Sequence, residues 1–189
     1  MHNSSRTDFL SFEFQRYGLL LLNEDPKLPS VVGVGGDWQS LMSLIESRSV
    51  FYSKIYKNRV TYLSKELYFH LKPFRQRKNL TEIEGGICDF LNEVGEAEKD
   101  EIVSALMLGK DSYNLSMDSL FKSLYVTAIR RGRTINQQWS TLFWGTSDRW
   151  ESDLSEEHKY YSAEESAHFI FEKLKSTFSE KQIYQFMNS

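Results

Sequence analysis

The sequence predicts an α+β protein with a winged-helix module, made of three helices and a β-hairpin wing, over residues 79–150. Three observations support this fold class. Three short segments with helical apolar spacing follow one another, two strand-like segments come directly after them, and capping residues or glycines separate the elements. Residues 1–78 are predicted to form an N-terminal α+β half with a basic β-hairpin. Residues 151–189 are predicted to form an acidic connector and C-terminal helices.

The N-terminal half begins with a predicted helix over residues 7–16 that ends at Gly18. The apolar run 19–22 follows it, and a loop then continues through Gly33–Gly36. Asp37 is placed to cap the next helix, whose apolar side chains recur every three or four positions. That apolar face is expected to belong to the core.

A β-hairpin is predicted next, because the runs 50–56 and 60–63 are rich in aromatic and β-branched residues. Ser64 is expected to cap a short helix after it. This helix should end near Pro73, since the residue before a proline avoids the helical region. The basic stretch 75–78 is interpreted as a linker.

The central segment opens with the clearest helix signal in the chain. Thr81 and Glu84 have the spacing of a capping box, in which each side chain accepts a hydrogen bond from the other residue's backbone N–H. Gly95 is placed to end this helix in a left-handed conformation. A second helix is predicted near 98–108 and a third from Ser112. The apolar face of the first helix is predicted to carry Ile83, Ile87, Phe90, Leu91 and Val94.

The wing is predicted directly after the third helix. Residues 125–129 are typical of a strand, 130–133 of a turn, and 135–144 of a mainly extended return. Further along, Ser162 and Glu165 form another capping box, and a last short helix is predicted to start at Ser179. We expect these C-terminal helices to pack back on the body.

Composition favours a folded protein of the cytoplasm. Hydrophobic residues make up 40% of the 189 positions and charged residues 26%, which is typical of globular proteins. A single cysteine excludes an intramolecular disulfide, and the N-terminus lacks the apolar run of a signal peptide. The longest apolar run, 19–22, is far shorter than the roughly 20 residues of a membrane helix. We therefore expect a cytoplasmic location and no membrane contact.

Charge is segregated along the chain. The net charge of −3 argues against a protein that coats nucleic acid indiscriminately. Residues 54–78 are nevertheless strongly basic, and residues 148–172 are strongly acidic. Any contact with nucleic acid is therefore expected to be local.

The sequence offers no pattern typical of a catalytic, metal or cofactor site. The four histidines are scattered, and no Cys/His pair has the spacing of zinc ligands. The Gly33–Gly36 segment lacks the Lys-Ser or Lys-Thr of a phosphate loop and is interpreted as a turn. Cys88 lies in an amphipathic helix, where a small buried hydrophobe is expected. A core role is favoured over a pocket for four aromatic residues: Trp139, Phe143, Trp144 and Trp150.

Candidate nucleic-acid contacts lie in the two predicted hairpins. The first hairpin combines cations with tyrosines, which suits backbone contact and base stacking. The wing carries arginines around Gly132, with a lysine near its base. The candidate residues are Lys54, Lys57, Arg59, Lys122, Arg130, Arg131 and Arg133. A solvated hairpin tip has the same composition, so a structural and a DNA-binding interpretation stay open for both hairpins.

The third helix is a weaker candidate for reading base edges in the major groove. Its predicted exposed residues include only one acid and one base: Asn114, Ser116, Asp118, Ser119 and Lys122. So weak a positive charge favours a structural role for this helix over base reading.

Three segments, 51–64, 85–106 and 125–150, resemble the AlkZ-related family, and the last ends in the run Thr-Leu-Phe-Trp-Gly-Thr-Ser-Asp-Arg-Trp. Members of this family are winged-helix relatives of the bacterial DNA glycosylases of the AlkZ or YcaQ type, which unhook interstrand crosslinks. The resemblance covers most of residues 7–150. It implies that tandem winged helices pack together, with residues 7–78 as a second, degenerate module.

The glycosylases carry a Gln-x-Gln or Gln-x-Asp motif that positions a catalytic water near the damaged nucleotide. None of the glutamines in this chain is followed two positions later by Gln or Asp. The resemblance therefore does not extend to glycosylase activity.

The first functional hypothesis is a non-enzymatic, winged-helix DNA-binding or DNA-repair-associated protein that contacts phosphates with its two hairpins. The rival is a protein-interaction module in which the winged helix has lost DNA contact, as the acidic net charge and weakly basic third helix suggest. An active glycosylase is a third, disfavoured hypothesis. The sequence indicates neither an oligomeric state nor a preferred DNA structure.

Overall fold

The computed structural model describes residues 2–76, 79–136, 139–154 and 161–188, with side chains from Ser5 onward. Within these ranges the chain has an α+β fold, which confirms the predicted class. Its helices are α1 (His2–Tyr17), α2 (Trp38–Glu46), α3 (Lys65–Arg75), α4 (Glu82–Val94), α5 (Lys99–Ala105), α6 (Lys110–Lys122), α7 (Ser147–Ser152), α8 (Ala163–Leu174) and α9 (Glu180–Asn188). Its strands are β1 (Leu19–Leu21), β2 (Val50–Tyr56), β3 (Arg59–Ser64), β4 (Val126–Thr134) and β5 (Ser140–Thr146).

The first sheet joins the predicted hairpin to a strand that the sequence did not predict. β2 and β3 pair antiparallel around Lys57 and Asn58, whose φ angles of 49° and 57° suit the tight turns of hairpins. The apolar run after α1 forms β1, which pairs with β3 and places Leu20 opposite Tyr62. Gly18, with a φ of 76°, lets the chain leave α1 and enter this strand.

The predicted helix caps are confirmed where local chemistry defines them. The Asp37 carboxylate accepts a hydrogen bond from the backbone N–H of Ser40 at 2.8 Å and so begins α2. Capping boxes begin α4 at Thr81 and α8 at Ser162. Gly95, with a φ of 84°, ends α4.

Helix α3 does not end near Pro73, as the sequence predicted, but continues to Arg75. A proline inside a helix removes one hydrogen bond and costs about 3 kcal/mol. Packing of the last turn against α9 outweighs this cost, and the Arg75 side chain is buried there. The linker interpretation is therefore wrong for Arg75, while Arg77 and Lys78 lie outside the described residues.

The second half of the body, residues 79–150, has the element order that the sequence predicted. Helices α4, α5 and α6 are followed by the antiparallel pair β4 and β5. The segment between α4 and α5 also pairs with the hairpin. Ala97 and Trp144 form an isolated antiparallel bridge with hydrogen bonds of 3.0 and 2.9 Å in the two directions. A short strand-like segment thus adds to β5, as β1 adds to β3 in the first half.

The two halves also correspond in detail where a helix passes into a hairpin. Both α2 and α6 end in a serine followed by a residue with positive φ, 58° at Arg48 and 60° at Leu124. At the start of the hairpin, the backbone N–H of Ser49 donates to Leu44, and that of Tyr125 donates to Leu120. The four residues of the first half each precede their counterpart in the second half by the same number of positions: Leu44 and Leu120, Ser47 and Ser123, Arg48 and Leu124, Ser49 and Tyr125. The two halves therefore share a structural repeat, although their sequences show no visible repeat.

The buried faces of α4 and α6 differ from those predicted. Ile87 and Leu91 are fully buried as expected, but Ile83 and Val94 at the two ends of the helix are exposed. Ser116 of α6, predicted to be exposed, is buried. Periodicity identifies the centre of each face correctly, but the ends depend on which elements pack against them.

The first sheet separates two clusters of buried side chains. Because side chains alternate along a strand, Val50 and Tyr52 lie in one cluster and Phe51 in the other. The first cluster includes residues of both halves. The second cluster joins α3 to the C-terminal helices and contains the fully buried Trp150. The C-terminal helices α8 and α9 pack on α3, as predicted. No helix in the described ranges has the length and apolarity needed to cross a membrane.

Candidate nucleic-acid interface

The arginines of the predicted wing turn lie inside strand β4, so the turn assigned to residues 130–133 is wrong. Gly132 provides the physical reason. A Cβ atom there would lie 2.0 Å from Oε1 of Glu98 and 2.3 Å from Oγ1 of Thr141. This glycine therefore allows the Glu98 side chain to approach the strand closely, and it is not needed to reverse the chain. The residues concerned are Arg130, Arg131 and Arg133.

Two of these arginines are paired with acids. Nε of Arg130 lies 2.5 Å from Oε1 of Glu96, and the guanidinium stands 3.5 Å from the ring centroid of Phe143. Nε of Arg131 lies 2.8 Å from Oε1 of Glu46, a residue of α2 in the other half. Both arginines are thus held within the fold, and only part of each side chain is exposed.

The first hairpin shows the same behaviour. Nζ of Lys54 lies 2.6 Å from Oδ1 of Asp118 on α6, with both side chains mostly buried. The guanidinium of Arg59 forms an ion pair with the carboxylate of Asp25 and donates to the backbone carbonyl of Glu24 at 2.9 Å. Four of the seven predicted cations therefore have an acidic partner in the protein.

The other three predicted cations form no ion pair with a residue that the structure describes. Lys57 lies in the turn of the first hairpin, with Nζ 5.1 Å from the ring centroid of Tyr56. Lys122 is the last residue of α6, and Arg133 lies exposed near the end of β4. Each of them still lowers the pKa of a nearby carboxyl, that of Asp25, Asp118 and Glu98 respectively, so they are the least engaged of the predicted cations and not free ones.

A cavity of about 460 Å³ lies between the two halves, bounded by α6, β2, β3 and β5. Aromatic side chains from both halves line it: Trp38, Tyr52, Tyr62, Tyr113, Phe121, Trp139 and Trp144. Polar side chains reach the same space, among them Lys54, Glu98, Asn114 and Asp118. The cavity thus combines many rings with a few hydrogen-bonding groups, as ligand sites in proteins do.

The charge state of the groups in this cavity follows from their surroundings. Burial raises the pKa of the Asp118 carboxyl, but hydrogen bonds from Lys54 and Asn58 outweigh that effect and leave this pKa below its usual value. Burial, followed by a nearby acid, raises the pKa of both Tyr52 and Tyr113. At neutral pH the cavity therefore presents an ionised carboxylate beside neutral hydroxyl groups.

The four aromatic residues predicted as core separate into different roles. Trp150 is fully buried, which confirms the prediction, and Phe143 lies against Arg130. Trp144 packs against the core and also lines the cavity. The core interpretation is wrong for Trp139, which is 44% exposed and lines the cavity from the hairpin. Alternation along a strand does not distinguish a ring that faces the core from one that faces a cavity.

The third helix of the second half, α6, presents little positive charge to solvent. Asn114 and Leu115 are exposed, while Asp118 turns toward the cavity and Lys54. This placement agrees with the structural role that the sequence favoured for the helix. Cys88 is buried in α4, as expected. In the part of the chain that the structure describes, no group of three or more His, Cys, Asp or Glu side chains is arranged to hold a metal ion.

Comparison with known proteins agrees with the resemblance seen in the sequence. The model of the AlkZ-related family matches residues 33–188. This range includes both hairpins, the lining of the cavity from α2 onward and the C-terminal helices, so it extends beyond the segments on which the resemblance was based. No curated protein and no solved structure matches the chain.

Proposed function

We propose that this chain, which belongs to the AlkZ-related family, is a winged-helix DNA-binding protein associated with DNA repair and without a catalytic site of the glycosylase kind. The proposal includes two winged-helix units, one within residues 1–78 and one within residues 79–150, followed by C-terminal helices over residues 151–189. The absence of a Gln-x-Gln or Gln-x-Asp triplet in the sequence supports the non-catalytic part of the proposal.

The observation that carries the proposal is that a helix, a strand-like segment, a further helix and a hairpin follow one another in both halves, with one additional helix, α5, in the second. In the first half β1 adds to the hairpin to give the sheet order β1-β3-β2. In the second half the bridge between Ala97 and Trp144 occupies the corresponding place beside β5. The second half has the three helices and the hairpin of a winged-helix unit, and the first half has a reduced form of that order with one helix fewer. Winged-helix units contact DNA through a helix, a hairpin or both.

Backbone contact is the mode that the charges support best. Lys57 and Arg133 lie on different hairpins, and Lys122 is the last residue of α6. None of the three has an ion pair with a described residue. Each cation that neutralises a phosphate contributes about −0.9 to the slope of log K against log salt. Three contacts therefore predict a slope of roughly −3.

Fluorescence anisotropy of labelled duplex, single-stranded and branched DNA over a range of salt concentrations tests the proposal. The variant Lys57→Ala/Lys122→Ala/Arg133→Ala should bind more weakly to all three and show a slope near zero. A variant with the same loss of charge elsewhere, Arg16→Ala/Lys175→Ala/Lys181→Ala, should keep the wild-type slope, because these exposed residues lie on α1 and the C-terminal helices. Equal effects of the two variants would contradict specific contact by the hairpins.

A protein-interaction role is the second candidate, and two observations favour it. Four of the predicted DNA contacts are paired with acids, and an apolar groove of about 750 Å³ lies between α8 and α9, beside the exposed Tyr184. If no DNA binds at low salt with tens of micromolar protein, which is within the usual range of non-specific binding, this candidate replaces the first.

A further inference from the structure

The cavity between the halves has a floor of rings packed edge to face and an aromatic mouth. Tyr52, Phe121 and Trp144 form the floor, with ring centroids 4.8 to 5.0 Å apart. At the mouth, Trp139 from the second hairpin meets Trp38 from α2, with ring centroids 5.0 Å apart. Trp139 is 44% exposed, so its indole is accessible to a planar group that enters the cavity from solvent.

One side of the cavity supplies a donor next to an acceptor. The Lys54 ammonium and the Asp118 carboxylate both line the space and lie 2.6 Å from each other. Each oxygen of Asp118 already accepts one hydrogen bond, from Lys54 or from Asn58, and keeps a further lone pair. A ligand that carries a donor and an acceptor side by side on a planar ring would match this pair.

We propose that the cavity binds one unpaired nucleobase of a bound DNA strand. This inference rests on the proposed function, because a DNA strand must pass the mouth of the cavity. A base that is stacked and paired in a duplex cannot present its ring faces and its edge to the cavity, whereas an unpaired base can. The cavity volume of about 460 Å³ lies in the range of small-ligand sites, roughly 300 to 1,000 Å³.

Two of the cations without an ion pair to a described residue, Lys57 and Arg133, lie on the two hairpins that border the cavity. Lys57 follows Lys54 in the same hairpin, and Lys54 lines the cavity. On the other hairpin, Thr141 lines the cavity, and its hydroxyl lies 3.4 Å from the backbone carbonyl of Arg133. Phosphates on either side of an inserted base could therefore meet a cation from each half.

The Lys54–Asp118 pair accommodates every natural base. Adenine, cytosine and guanine carry an exocyclic amino group that can donate to the carboxylate, and an unpaired thymine can donate its N3–H in the same way. In each base an acceptor for Lys54 lies next to that donor, so we expect the cavity to distinguish unpaired from paired bases and not one base from another.

Two duplexes of the same sequence, one of which carries a single extra unpaired adenine, test the inference. Their phosphate numbers are almost equal, so a difference in affinity measured by anisotropy at one salt concentration reports on the base and not on the backbone. The duplex with the extra adenine should bind roughly 5- to 150-fold more tightly, the range found for one base stacked on aromatic side chains. An extra unpaired thymine should also increase the affinity, because its N3–H and O4 match the same pair of side chains.

Trp139→Ala should remove this preference and leave the affinity for the plain duplex unchanged. Tyr184→Ala is the matched control, because Tyr184 is an exposed aromatic residue on α9, far from the cavity lining. Equal affinity of the wild type for the plain and the adenine-carrying duplex would overturn the base-binding cavity and leave the proposed function standing. Absence of binding to every DNA would overturn both.

Discussion

Gly132→Ala tests the most consequential correction to the sequence-based prediction, the placement of the arginines in a strand. In a solvent-exposed turn, an alanine at this position would be tolerated. In the structure its Cβ would lie 2.0 Å from Oε1 of Glu98 and 2.3 Å from Oγ1 of Thr141, both far inside van der Waals contact. The Glu98 side chain is flexible and would move away, so the cost of the substitution is the interactions that this carboxylate loses.

Those interactions can be read from the hydrogen bonds of Glu98. Its Oε1 accepts from the Thr141 hydroxyl at 2.6 Å and from the backbone N–H of Arg133 at 3.2 Å. Hydrogen bonds to charged groups contribute about 1.5 to 3 kcal/mol each when shielded, and less where water can replace them. Glu98 is only partly buried, so we expect a total loss of about 1 to 2 kcal/mol. For a chain of this size that corresponds to a melting temperature about 2 to 8 °C lower.

Urea denaturation of Gly132→Ala and of a control, Gly86→Ala, measures this loss. Gly86 lies inside helix α4 with no atom within 4 Å of an added Cβ, so alanine there should raise the free energy of unfolding by about 0.5 to 1 kcal/mol. The two variants are thus expected to shift in opposite directions. If Gly132→Ala were as stable as the wild type, the close approach of Glu98 to β4 would be refuted.

Three further predictions concern buried groups. Trp150→Ala should destabilise the protein by about 3 to 5 kcal/mol in urea denaturation, because the ring is fully buried against Phe51 and Tyr68. Trp150→Phe should cost much less, because the indole N–H has no hydrogen-bond partner among the described residues. Burial lowers the pKa of His70, an effect that nearby Glu165 opposes. As the pH falls, the unfolded state therefore protonates this histidine before the folded state does, and the free energy of unfolding should fall below about pH 6.5. His70→Phe should flatten that dependence between about pH 7 and 5. Burial also lowers the pKa of Arg75 to about 10. Among the described residues its Nε has no partner, and its Nη2 donates only a long hydrogen bond of 3.4 Å to the carbonyl of Ile55. Arg75→Met should therefore be at least as stable as the wild type, and a large loss of stability would contradict this account.

Local signals predicted the boundaries of several helices because the interactions that define them join residues close in sequence. The capping boxes at Thr81 and Ser162 and the cap at Asp37 each involve residues three positions apart. The hairpin around Lys57 and Asn58 is local for the same reason. Strand β1 was missed because three apolar residues carry no periodicity, and only its pairing with β3 makes them a strand.

The errors in the second hairpin and in α3 have a different physical origin. Gly132 in a run of arginines resembles a turn unless Glu98 is known to pack against it, and Glu98 reaches the strand from the start of α5. Pro73 resembles a helix end unless the packing of α9 against the last turn of α3 is known. In both cases a partner distant in sequence determines the conformation.

Partners distant in sequence also explain why the candidate site differs from its prediction. The acids that pair with the hairpin cations were visible in the sequence, but Asp118 is 64 residues from Lys54, and Glu46 is 85 residues from Arg131. A count of basic residues along the chain therefore overestimated the charge that the hairpins can offer to DNA. The sequence did not predict the cavity either, because its rings come from α2, both hairpins and α6.

The pairing of the hairpin charges follows the repeat of the two halves. Lys54 on β2 reaches an acid on α6, and Arg131 on β4 reaches an acid on α2, so each hairpin is bound by a helix of the opposite half. The other two pairs, of Arg59 and Arg130, stay within their own half. Lys54 and Arg131 therefore join the two halves, and the cavity lies at one of the two junctions that they form. Under the proposed function, phosphate contact falls to Lys57, Lys122 and Arg133, so DNA affinity should depend on these three residues and not on the basic stretch as a whole.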